Sequence, residues 1–210
     1  MLDSRRNIAL ACALSALAGY VDAIGFLHLG GLFVSFMSGN STRMGVSLAA
    51  GEWGPAAEAF GLIALFVAGA TAGSLIVLGR SARAQSRLML AEALLLAAAA
   101  LCYAVGLPGT AVAAIVLAMG MENAVFQIEG GAGLGLTYIT GALVKVGQFI
   151  AAALTGGARL GWLPNLLLWL ALAVGGVSGA LAYHWISLGA IWFAAAFALA
   201  LSVILHAQRH

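Results

Sequence analysis

Ser38-Gly39-Asn40-Ser41-Thr42-Arg43 interrupts an otherwise apolar stretch at residues 32–50, and Thr137, Thr140, Lys145 and Gln148 interrupt a second at residues 134–154. Whether these two segments cross a membrane decides the topology, because the rest of the chain is apolar enough to do so. Of 210 residues, 63% are hydrophobic and 8% charged, with a mean hydropathy of +1.07, against roughly 25% charged residues in an ordinary soluble domain. Such a chain cannot cover itself with polar surface, so its solvent is lipid. Gly contributes 28 residues and Pro only 3, which excludes collagen-like and Pro-rich disordered classes. Cys12 and Cys102 each lie within apolar sequence, which supports neither a disulfide framework nor a thiolate metal site. A net charge of +2, with no basic run beside an aromatic-rich strand, argues against a nucleic-acid partner.

A bilayer core of about 30 Å needs roughly 20 apolar residues per helix. Six stretches qualify, at about residues 8–27, 56–78, 88–105, 110–128, 160–185 and 186–205. The first follows Arg5, Arg6 and Asn7 and begins like a secretory leader, but it outlasts an h-region and further spans follow, so it reads as a retained span. Lys and Arg in short loops stay on the cytoplasmic side. With neither interrupted segment crossing fully, Arg5, Arg6, Arg80, Arg83, Arg87, Arg159 and Arg209, seven of the nine basic residues, fall on one side. With both crossing, the three-arginine loop moves away from Arg5 and Arg6. The expectation is therefore an all-α polytopic membrane protein with cytoplasmic N- and C-termini, six spanning helices and two re-entrant or broken polar helices. Eight full transmembrane helices, arranged 4+4, are the alternative.

Self-similarity supports two halves. Gly19-Tyr20-Val21-Asp22-Ala23 recurs as Gly120-Met121-Glu122-Asn123-Ala124, and Phe36-Met37-Ser38-Gly39 followed by Arg43-Met44-Gly45 recurs as Tyr138-Ile139-Thr140-Gly141 followed by Lys145-Val146-Gly147. Gly69 and Gly73 parallel Gly175 and Gly179, both with the G-x-x-x-G spacing that lets membrane helices approach closely. Residues 1–210 then form a single membrane domain, with one repeat at about 8–106 and another at about 109–206 joined by a short loop. Three crossings per half is an odd number, so the second half enters the bilayer inverted, as in many secondary transporters.

Val21-Asp22-Ala23, Leu29 to Val34, Met37-Ser38-Gly39-Asn40, Gly120 to Ala124 and Thr137-Tyr138-Ile139-Thr140-Gly141 resemble the YoaK-like family over nearly the whole chain. That resemblance implies a bacterial inner-membrane protein of a family with no established activity. Its pattern usually has Gln where this chain has Glu122, whereas Asn123 fits it.

Ionisable groups at membrane depth need a partner, a wet cavity or a function. Asp22 lies about 21 Å along the first helix from Ile8, too deep to reach the near surface. It is either a proton- or cation-coupling acid or a structural partner for a cation or backbone donors. Glu122 occupies the matching place in the other half and is the second candidate for coupling. Ser38-Gly39-Asn40 and Thr140-Gly141 read as helix starts, and such ends favour anions. Arg43 and Lys145 add a cation to each, or else snorkel to an interface. The expected binding set is Ser38, Gly39, Asn40, Arg43, Asn123, Thr137, Thr140, Gly141 and Lys145. Glu92 is read as reaching Arg87 or Arg83, and Trp169 as a belt or lipid-facing residue.

The function expected from this pattern is a small-solute secondary transporter with an anion-favouring site between the repeats and optional proton coupling. A channel using the same re-entrant segments and a non-catalytic accessory subunit are the alternatives. No H-E-x-x-H or G-x-S-x-G pattern and no cluster of His with carboxylates supports an enzyme, a metal or a cofactor. The partners expected are a small molecule or ion and the bilayer, with a homo-oligomer compatible.

Overall fold

The computed structural model describes residues 5–78, 83–125 and 139–207. These form eight helices: α1 (Arg5–His28), α2 (Met37–Ala49), α3 (Trp53–Leu78), α4 (Ala84–Ala104), α5 (Pro108–Glu122), α6 (Ile139–Leu154), α7 (Leu163–Ile186) and α8 (Ile191–Ala207). A 3₁₀ turn at Ser187–Ala190 joins the last two, and no strand occurs among the described residues. The protein is thus an all-α polytopic membrane protein. Asn7–His28, Trp53–Leu78, Ala84–Ala104 and Leu163–Ala207 are long and apolar enough to cross a membrane. The last comprises both α7 and α8.

One expected span is shorter than anticipated. The stretch at 110–128 yields α5, whose 15 residues cover about 22 Å and fall short of a bilayer core of about 30 Å. The helix stops where polar side chains enter. Asn123 donates its amide to the Met119 carbonyl at 3.0 Å, a local bond that competes with continuation of the helix.

The helix ends sort into two groups. Ala11 and Leu14 near the start of α1, Leu88 and Met89 near the start of α4, Leu168 near the start of α7 and Leu205 near the end of α8 share one apolar cluster. Arg83, Arg87 and Arg159 adjoin these ends. At the opposite end, the His28 ring lies 6.2 Å from those of Tyr103 and Tyr183, so α1, α4 and α7 finish together.

His28 and Leu29, at the end of α1, share a cavity with Glu58 and Leu62, near the start of α3. The segment between them therefore leaves and returns to one end without traversing the bundle. Gly30 and Gly31 make the turn inward at φ 61° and 106°, a conformation that Gly adopts without a steric penalty. α2, with 13 residues or about 20 Å, then runs back out against α3. α6 also begins in the interior, beside Leu172 and Gly176 of α7, and its Phe149 meets Gly161 just before α7 begins.

Glycines set the closest helix contacts. A Cβ on Gly19 would meet the Leu172 carbonyl oxygen, one on Gly175 that of Ala16, and one on Gly179 that of Tyr20, which brings α1 onto α7 backbone to backbone. A Cβ on Gly120 would likewise meet the Phe66 oxygen, one on Gly69 that of Leu117, and one on Gly73 that of Met121, bringing α5 onto α3. In lipid, where no hydrophobic force drives helices together, such close approach supplies the dispersion that holds them. The outer faces remain apolar: Leu78 is 71% exposed and Trp185 83%. That surface suits acyl chains and would aggregate in water.

Candidate functional site

Asp22 projects from α1 toward the re-entrant loop. Its Oδ1 accepts hydrogen bonds from the backbone N–H groups of Val34 at 2.9 Å and Ser35 at 2.7 Å, and its Oδ2 accepts one from the Ser35 hydroxyl at 2.5 Å. The loop lies deep in the bundle, so these donors would otherwise lack partners. Asn40 completes the fastening: it accepts from the Phe33 N–H at 2.8 Å and donates to the Phe33 carbonyl at 2.7 Å. Arg43 donates to the Gly31 carbonyl at 2.6 Å.

Ser38-Gly39-Asn40 does open a helix, but its side chains do not cap it. The cap position is Phe36, with no side-chain hydrogen bond. Asp22 instead satisfies the amides of the chain entering α2, so the expected anion at this helix start is one of the protein's own carboxylates. Asn40, fully buried, carries a separable prediction. Asn40→Ala leaves both polar groups of Phe33 unpaired and lowers stability by about 2–3 kcal/mol, measured by thermal unfolding in detergent.

A cavity of about 620 Å³ lies against this loop. Asp22 and Phe26 of α1, Phe33, Ser35 and Phe36 of the loop, Thr140 of α6 and Trp169 of α7 contribute to its wall. Phe26 and Phe33 stack with ring centroids 5.0 Å apart, and Phe33 meets Phe36 edge-on at 5.2 Å. Gly39 makes room for them, since a Cβ there would lie 2.8 Å from the Phe33 ring and 2.7 Å from that of Phe36.

Of the residues expected from sequence, Asp22 and Thr140 meet at this cavity. The others lie elsewhere. Ser38 is exposed and its carbonyl accepts from Thr42 at 3.1 Å. Asn40 and Arg43 fasten the loop from behind. Asn123 is engaged with Met119, Gly141 is half-buried, and Lys145 is exposed on α6. Thr137 lies outside the described residues. Neither Arg43 nor Lys145 lines the cavity, and among the described residues Asp22 is the charged side chain that does, so neither of the two expected cations is there to favour an anion.

Two features escaped the reading from sequence. Trp169, read as a belt or lipid-facing residue and 36% exposed, also lines the cavity. Glu92 is 0% exposed, and its carboxyl oxygens have no hydrogen-bond partner, while Arg87 points outward. The signal was present: Leu88, Glu92 and Leu96 recur at i, i+4, i+8, and that face of α4 is buried. Glu122 is also 0% exposed with both oxygens unpartnered.

A family described as "Protein of unknown function (DUF1275)" matches residues 10–204. UPF0700 transmembrane protein RA0705 of Rhizobium meliloti (strain 1021) is 37% identical over 197 residues, covering 93% of this chain and 84% of that protein. No solved structure matches.

Proposed function

The chain belongs to this DUF1275 family of uncharacterised membrane proteins, and we propose that it is a carrier moving a small solute through the cavity beside Asp22. The observation that carries this reading is the joint wall of that cavity. The loop entering α2 and the first residues of α6 face it together, across α1 and α7. Broken helices that meet inside a bundle are how secondary transporters expose backbone polar groups to a substrate without exposing them to lipid.

The paired glycine contacts of α1 with α7 and of α5 with α3 support two halves of inverted orientation. Sliding of one glycine-packed pair against the other would open the cavity to alternate sides. The gathering of Arg83, Arg87 and Arg159 at one end supports a cytoplasmic assignment for that end, and with it for both termini, by the positive-inside rule. The aromatic wall and the Asp22 carboxylate favour a solute with an apolar body and a positive charge or a strong donor. This replaces the anion suggested by Arg43 and Lys145.

A thermal-shift screen of the purified protein against organic amines, quaternary ammonium ions, amino acids and organic anions tests the site. A ligand at 100 times its Kd stabilises by about 2.7 kcal/mol. Organic cations are expected to raise the unfolding temperature, and Trp169→Ala to remove the shift. Stabilisation by anions alone, or a shift indifferent to Trp169→Ala, would contradict the assignment.

A further inference from the structure

Glu92 of α4 and Glu122 of α5 are placed where no site described above uses them. Both are 0% exposed, and none of their four carboxyl oxygens has a hydrogen-bond partner. α4 packs on α5, and Glu92 and Asp22 both lie near enough to act electrostatically on the Glu122 carboxyl. The acids mark a level between two apolar clusters. Leu88, Met89 and Met121 belong to one, and Ala93, Leu96 and Met119 to the other.

No cation is supplied at this level among the described residues. α3 has one charged residue, Glu58 at its start, and the titratable residue of α8, His206, is at its end. Arg87 is exposed, and Asp22 is the charged group that α1 presents from its inner turns. Two carboxylates on adjoining helices, buried in an apolar core without partners, repel one another and cannot both keep their charge. A proton or a bound cation must accompany them, and no group of three or more ligating side chains that would hold a metal ion occurs among the described residues.

We infer that Glu92 and Glu122 form a proton-binding pair inside the bundle, taking up and releasing one proton between them. Uptake forms one O–H bond on a carboxyl oxygen as one O–H bond of a hydronium ion or water breaks, and release reverses the exchange. No electrons change hands. The pair deepens the carrier reading by giving it a store for the coupling proton, and that use rests on the carrier reading; the existence of the pair does not.

The test therefore uses the purified chain without solute or gradient. A lipid-soluble carbodiimide adds to protonated carboxyls in apolar surroundings, and peptide mapping locates the adduct. One adduct per chain is expected, on Glu92 or Glu122, decreasing as pH rises and at least tenfold weaker in Glu92→Gln/Glu122→Gln. Sodium at fixed pH should not protect. Absence of adduct on both residues, an adduct confined to Asp22, or protection by sodium would overturn the inference, the last by assigning the pair to a cation. Mapping on the unmodified sequence decides even where a variant fails to fold. A chain that transports nothing can still be labelled, and a carrier can remain unlabelled, so the two readings fail separately.

Discussion

Gly175→Ala and Gly69→Ala should each lower stability by more than about 3 kcal/mol, at or beyond the upper end of ordinary overpacking. The added methyl would land on a backbone carbonyl oxygen, Ala16 in the first case and Leu117 in the second. A backbone atom in the middle of a helix cannot rotate aside as a side chain can, so the whole helix must move. Moving it also separates Gly19 from Leu172, or Gly120 from Phe66, and forfeits dispersion along the seam. Gly61→Ala provides the control. It lies inside α3 with nothing near its would-be Cβ, so the substitution should be neutral or stabilise by up to about 1 kcal/mol through helix propensity. Unfolding of the three variants in detergent checks the set, and similar losses at all three positions would show that the seams are not special.

Asp22→Ala should lower stability by about 2–4 kcal/mol, because two buried N–H groups and the Ser35 hydroxyl lose their acceptor. Asp22→Asn should retain most of the fold. Its amide oxygen still accepts from Val34 and Ser35, and the serine hydroxyl can turn to accept from the new NH₂. The Asn variant thus removes the charge of the cavity while keeping its wall, and the Ala variant removes both. Thermal unfolding separates the two: equal losses for Ala and Asn would assign the effect to charge alone, and no loss for Ala would mean that the loop is held by other contacts.

The membrane class and the long helices α1, α3, α4 and α7 were legible because a run of apolar residues is a composition signal and needs no partner to be read. The re-entrant path of residues 29–49 was legible only through charge, since Arg83 and Arg87 share an end with the start of α1. The roles of Asn40 and Arg43 were not. Both were expected to face a ligand, but hydrogen-bond donors that look like a binding set in sequence are equally able to satisfy the protein's own buried loop, and here Phe33 and Gly31 take them. The cavity-lining part of Trp169 and the burial of Glu92 were missed as well. For Glu92 a partner was sought among neighbouring arginines, although its i, i+4, i+8 spacing with Leu88 and Leu96 marks the buried face of α4; for Trp169 the face of α7 that meets the cavity is chosen by neighbours, which periodicity does not show in a helix apolar all round. The end of α5 at Glu122 shows the same limit, because hydropathy alone ran past it.

The most direct measurement is uptake into sealed vesicles containing the purified protein, using the amine that stabilises it most. A carrier working through the Asp22 cavity predicts uptake that saturates with amine concentration, responds to a pH gradient and is lost in Asp22→Asn while that variant remains folded. Uptake no greater than in protein-free vesicles, or full uptake by folded Asp22→Asn, would contradict it.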